Sequence, residues 1–368
     1  MFKFIQTFIT IMVFLNLFSP STFAFKMKPE ATDLDGKVRS LQPKLLTKYF
    51  DEIAAFAIDH FTNPVHEQIT HLIYGCSGDR YVCSSPENPS NFAPQAVIAG
   101  VRWNDNPPFK LESSNLKECL GKTIKLPNFS KCWVTLFKDA QKRSKKGEFF
   151  DAKSGTVLLY RVHFGDMQFL HAMASRDGEA AFETKKKIMI WSEFAYKVAL
   201  GEIDRDIEIR KSGIDGMDII FGNKGWTAQQ LFTRGDPTFR GEKDFRDLAF
   251  GTLLHIIHDS FVSSHVERDE PSGSKCEKSN DNLKPGKILN FHSYSKQDHN
   301  KHGEEDSHDA LELHLLTIQP NVVEVGKIVR SYYEAKRPWE ELKDYLECVF
   351  DVEDLTVQAG PGEQFSSE

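Results

Sequence analysis

Apolar residues recur at helical spacing over most of this chain. From Lys243 to Val266, Phe245, Leu248, Leu253, Ile256, Ile257 and Phe261 return every three or four positions, which predicts one strong helix. Gly165 to Gly201 carries a broad apolar face of Ile188, Ile190, Trp191, Phe194, Ala195, Val198 and Ala199. Leu46 to Tyr74 reads as two helices parted near Asn63-Pro64, the second starting at His66. Asp309 to Ile318 and Val322 to Phe350 close the pattern as helices, and Pro271 to Lys287 reads as a polar loop. Residues 75–160 break the rhythm with Pro, Asn, a Lys-rich run at Lys142 to Lys146 and four cysteines, so we expect a loop-rich insertion there. Strand signals are few and no repeat is present. The expected class is all-α: a multi-helix domain over 25–358, a disulfide-stapled insertion over 75–160 and a frayed tail over 359–368.

The extreme N-terminus follows another logic. Lys3, the apolar run Phe4 to Phe18, and small residues leading to Ala24 match the order of a secretory signal peptide over 1–24. The run is short for a membrane span, and no later stretch is long and apolar enough for one. The expected location is therefore extracellular or periplasmic. Cys76, Cys83, Cys119, Cys132, Cys276 and Cys348 are even in number; among fifteen possible pairings short range favours Cys76–Cys83 and Cys119–Cys132, which leaves Cys276–Cys348. A net charge of -7 argues against general attraction to nucleic acid.

Thirteen histidines carry the chemistry, and they are grouped: none lies between His71 and His163, and five fall between His292 and His314. His255 and Asp259 stand four apart on the strong helix, so their side chains share a face, and His265 follows six residues later. Two imidazoles and a carboxylate on an apolar helix fit a divalent ion such as zinc, although a buried His–Asp hydrogen bond without metal has the same spacing. Trp103-Asn104-Asp105 precedes Pro107-Pro108, His66 begins a helix, and His163 follows a short apolar run. Singly, each reads as an ordinary turn, cap or core residue.

Taken in order, these residues resemble the zinc-dependent phospholipase C and S1–P1 nuclease family over most of the chain beyond the leader. The HxxxDxxxxxH element of His255, Asp259 and His265 is its most specific part, and Trp103-x-Asp105 has the form seen on the nuclease side. The resemblance implies two or three zinc ions. Asp105, His163, His255 and Asp259 would hold the first, His265, His302 and Asp306 the second, and His66 with bridging Asp259 the third. Asp105 would also serve as the catalytic residue that orients the attacking water. His171 competes with His163, and His308 with Glu312 competes with His302 and Asp306. Where the family starts its mature chain with a zinc-binding Trp, cleavage here would leave Phe25, and the stretch between Asp105 and His163 is longer than the family's. The implied activity is a metal-dependent phosphodiesterase of the phospholipase C type, acting as a monomer on phospholipid at a membrane surface. Alternatives are an exported nuclease or phosphomonoesterase on the same metals, or a zinc-stabilised binding protein without catalysis.

Overall fold

In the computed structural model, residues 65–77 and 92–367 are described, apart from 113–115, 127, 223, 237, 238, 240, 270–273, 281 and 306. The signal peptide, the expected mature N-terminus and the first helix of the 46–74 pattern lie outside the described residues. What is described is helix-rich, with short two-stranded ladders only.

The helix predicted over 243–266 runs Glu242–Asp259 (α8). From Leu248 to Asp259 every residue is buried, so α8 passes through the interior rather than lying on it. Several helices enclose it. Val65–Ile73 (α1) begins one residue before His66, with all nine residues buried. Gln95–Val101 (α2) crosses α8 at a glycine contact: a Cβ on Gly100 would lie 2.0 Å from the Leu248 carbonyl oxygen, and one on Gly251 2.2 Å from that of Val97. Ala181–Leu200 (α5) packs on another side through Ile188, Trp191, Phe194, Ala195 and Val198. Val322–Glu334 (α11) covers α1, and Trp339–Val349 (α12) covers α5. The remaining helices are Ser130–Ser144 (α3), Leu158–Phe164 (α4), Met217–Phe221 (α6), Ala228–Thr233 (α7), His299–Glu305 (α9) and His308–Thr317 (α10).

The loop-rich reading of 75–160 needs correction over its described part. Val97 and Val101 place α2 against the main core, hidden in the sequence by the prolines and asparagines around them. α3 and α4 build a smaller core of their own, with Phe109, Ile124, Trp133, Phe137, Phe150 and Tyr160. The tail is corrected as well. Ala359 and Phe365 are buried, the Ala181 amide donates to Val357 (2.9 Å) and the Ala359 amide to Glu179 (2.9 Å), so residues 357–359 run beside the start of α5. The Gly-Pro composition read as fraying is a docked extended segment. Val322 to Phe350 is two helices divided at Arg337-Pro338, as expected where proline disfavours helix in the residue before it.

Strand Val266–Arg268 (β1) pairs antiparallel with Ile288–Phe291 (β4), and Lys275–Cys276 (β2) with Asn282–Leu283 (β3), inside the predicted polar loop. Disulfides join Cys119 to Cys132, the expected short-range pair, and Cys276 to Cys348, the expected remaining one. Cys83, the expected partner of Cys76, lies outside the described residues. Neither described bond touches the histidine cluster. Reduction should therefore lower the thermal midpoint, by an amount equivalent to about 2–5 kcal/mol, while metal content stays unchanged. Metal loss in step with reduction, measured on the same samples, would contradict this.

Candidate metal centre

The last turn of α8 sets the site. His255 Nδ1–H donates to the Val101 carbonyl at the end of α2 (2.6 Å), which turns Nε2 inward to 2.9 Å from Asp259 Oδ2. Asp259 is fully buried and serves several imidazoles at once: His171 Nδ1–H donates to Oδ2 (2.9 Å), and His66 Nε2 stands 3.3 Å from Oδ1. The His66 ring stacks on that of His255, with centroids 4.0 Å apart.

Asp105 arrives on a braced segment. Trp103 Nε1–H donates to Phe232 (3.0 Å) and stacks on Trp191, while Asn104 Nδ2 donates to the Leu170 and Thr252 carbonyls (2.8 and 3.2 Å). Those anchors place the Asp105 carboxylate 3.6 Å from His171 Nδ1 and 3.9 Å from His255 Nδ1. His171 itself ends a short 3₁₀ turn, Gln168–His171, closed by Ala172 in the left-handed region (φ 51°). This turn replaces the regular helix expected between Gly165 and Ala181.

His265 reaches back because α8 stops at Asp259 and the chain turns. Its Nδ1–H donates to the His171 carbonyl (2.9 Å), and its Nε2 faces His302 Nε2 at 3.2 Å. His302 donates from Nδ1 to Gln297 Oε1 (2.7 Å), and the Gln297 amide is fixed by donating from Nε2 to Ser264 (2.6 Å) and Pro361 (2.8 Å). With both Nδ1 protons committed, two Nε2 lone pairs confront each other. A shared proton or a cation would relieve that arrangement.

Among the described residues, two buried sets offer ligand atoms close enough for one ion: His66 with His255 and Asp259, and Asp105 with His171 and His255. Asp105 Oδ2, Asp259 Oδ1 and His171 Nε2 are buried without a hydrogen bond. Orphaned carboxylate and imidazole atoms converging in a buried site fit a divalent metal, and these groups can bind one.

The sequence-derived ligands fall into three groups. His66, Asp105, His255 and Asp259 meet, and His265 pairs with His302 beside them. His163 is placed apart: its Nε2 lies 2.7 Å from the Asp105 backbone carbonyl, and its ring stacks on His171, which occupies the position between the carboxylates. Asp306 lies outside the described residues. The rival His308 and Glu312 do converge, with Asp309, but at the partly exposed start of α10. Sequence reasoning missed His258, whose Nδ1 sits 3.2 Å from His66 Nδ1, and Gln297, the orienter of His302. His258 neighbours Asp259 in the sequence, which was the available hint; Gln297 left none.

Protonation follows burial and charge. Burial, then neighbouring imidazoles, holds His163 down to about 3. Burial likewise holds His265 down to about 4 despite Asp259, and lowers His66 and His258. Burial would lower His255 too, but Asp259 and Asp105 carry it up to about 9. Burial pushes Asp259 up, yet the imidazoles around it win and hold it well below the usual carboxylate range. His163 and His265 are neutral in the fold and charge on unfolding, so their contribution is present above pH 6.5 and lost as pH falls toward 4. Metal-free protein should therefore melt at progressively lower temperature from pH 6.5 to pH 4. A flat profile in calorimetry across that window would contradict the buried neutral imidazoles.

Comparison with family models, with curated proteins and with solved structures matches nothing.

Proposed function

We propose that this chain is an exported zinc-dependent phosphodiesterase of the phospholipase C and S1–P1 nuclease type. In this reading it hydrolyses glycerophospholipid, phosphatidylcholine foremost, to diacylglycerol and a phosphorylated headgroup. The observation that carries the reading is the buried convergence of His66, Asp105, His255 and Asp259, with the His265–His302 pair beside it, in the chain order of that family. Imidazole and carboxylate donors suit zinc. In this reading His171, rather than His163, completes the first metal set, and Asp306 joins His265 and His302. Zinc bound there would lower the pKa of a water to about 7 and neutralise phosphate oxygens.

The chain's own residues do the positioning. The Val101 carbonyl fixes the His255 ring, and Gln297 fixes that of His302. Asp105 Oδ2, buried and without a hydrogen bond, is the atom to orient the attacking water and take its proton. No protein nucleophile is needed. A lipid is favoured over a nucleotide by an apolar cavity of about 360 Å³ that reaches His258 and is walled by Phe261, Val262, Leu311, Leu313 and Ile318. Leu313, which lines it, and Leu316, three residues on along α10, are exposed at 63% and 66%, which supports contact of α10 with an apolar surface. Among the described residues no helix is long and apolar enough to cross a membrane.

Leu313→Glu with Leu316→Glu should lower hydrolysis of phosphatidylcholine vesicles by roughly tenfold, equivalent to losing apolar burial of ~1.5 kcal/mol or more. Hydrolysis of a short-chain soluble lecithin should be unchanged. Equal loss on both substrates would remove α10 from surface contact. The function itself is tested by a panel of phosphatidylcholine vesicles, single-stranded DNA and a chromogenic phosphomonoester, each with and without zinc. Cleavage of DNA alone would move the assignment to a nuclease, and inactivity on all three to a zinc-stabilised binding protein.

A further inference from the structure

A second cavity, of about 820 Å³, opens between α3, α4 and the loop preceding α7, away from the residues of the metal centre. Its wall mixes apolar side chains, Phe109, Leu136 and Leu158 among them, with an unusual set of charges. Arg143 is accounted for by Asp139 and Glu148, and Asp139 also accepts from the Tyr160 hydroxyl (2.8 Å). Lys110, Lys224 and Arg234 make no ion pair among the described residues, and Glu112 is the one lining carboxylate left over. Three unmatched cations against one carboxylate leave two net positive charges.

The cations are also crowded. Lys224 Nζ lies 5.0 Å from the centre of the Trp226 ring and Arg234 Cζ 4.1 Å, so one indole holds two like charges. Arg234 Nε is buried without a hydrogen-bond partner. Arg234 further occupies the left-handed region (φ 46°) that closes α7, a place where glycine or asparagine is the easier choice. Strain, an orphaned donor and crowded like charges at one place mark a site organised for an anion rather than for the stability of the empty protein.

We propose that this cavity binds a phosphate monoester. At neutral pH such a group carries close to two negative charges, matching the excess on the wall. The dianion would lie across Lys224, Arg234 and Lys110, with its organic part against Phe109, Leu136 and Leu158. This is the class of product that the proposed reaction releases, but the inference stands on the cavity alone.

The test is calorimetric titration of the whole protein with inorganic phosphate and with phenyl phosphate, alongside thermal melts. Wild-type protein should bind both saturably, phenyl phosphate more tightly, and melt higher in their presence. Lys224→Gln and Arg234→Gln should each weaken binding by roughly tenfold or more, the usual consequence of losing one charge-assisted contact. Lys224→Gln should melt close to wild type without phosphate, because the repulsion from Arg234 that it removes offsets the Trp226 ring contact that it loses; it decides the matter if Arg234→Gln does not fold. Phosphate can also reach the histidine cluster, so the titrations are repeated on Asp259→Ala protein, where the cavity should still bind. Binding that survives both cation substitutions, that disappears in Asp259→Ala, or that is absent from wild type would overturn the proposal.

Discussion

Asp259→Ala is expected to remove at least one metal ion per chain and to lower phosphodiester hydrolysis by more than about a hundredfold. Partners one step removed from a metal already change affinity or activity by about 10- to 100-fold when lost, and a group in direct contact should exceed that. The structural reason is that this one carboxylate faces three imidazoles, those of His171, His255 and His66, at 2.9 to 3.3 Å. Its loss leaves them buried against one another. Metal-free Asp259→Ala should thus also be less stable, because a His255 proton now favoured by two carboxylates would keep only Asp105. His302→Ala should lose metal in part, and Glu312→Gln, half-buried on α10, should lose none. His258→Ala should fall between, since His258 orients His66 and lines the apolar cavity. Full activity and unchanged metal content in Asp259→Ala would exclude the buried cluster as a metal centre; metal loss in Glu312→Gln without loss in His302→Ala would transfer the second ion to α10.

Gly251→Ala should be strongly destabilising, as should Gly100→Ala on the other side of the same contact. At the crossing of α2 and α8 the added carbon would lie 2.2 Å from the Val97 carbonyl oxygen and 2.8 Å from Gly100 Cα, backbone that no rotamer change can clear. The helices must separate, and the expected loss is at least ~3 kcal/mol out of a typical total of about 5–15. Function should suffer beyond stability. α2 ends at Val101, whose carbonyl fixes His255, and the chain then runs directly to Asp105. A folded Gly251→Ala protein should therefore bind metal more weakly than wild type. Gly360→Ala, with nothing within 4 Å, provides the benign comparison. Equal denaturation midpoints for the two variants would show that the glycine contact is looser than described.

The two predictions also show what was legible in the sequence. The periodicity of Phe245 to Ile257 announced α8, and its four-residue step put His255 and Asp259 on one face, because helical spacing is a local property. Cys119–Cys132 was readable for a similar reason, being 13 residues apart, whereas Cys276–Cys348, 72 apart, followed only as the pair left over. α2 was not readable: seven residues between prolines and asparagines are too short for a period to emerge, and their helix is held by contact with α8. The tail misled because Gly and Pro signal irregular backbone, which is correct, but say nothing about whether that backbone docks. At the site, His163 and His171 could not be ranked from spacing. The choice depends on the 3₁₀ turn at Gln168–His171, which aims His171 at Asp259 while His163 hydrogen-bonds the backbone of Asp105. Long-range pairs such as His265 with His302 depend on where the chain turns after α8, a tertiary outcome.

The most direct test is hydrolysis of phosphatidylcholine vesicles by the purified protein as isolated, after exhaustive chelation, and after zinc is returned. The account predicts release of diacylglycerol and phosphorylcholine, its loss on chelation and its recovery with zinc. Hydrolysis that persists in fully chelated protein, or absence of hydrolysis in protein shown to carry its zinc, would contradict it.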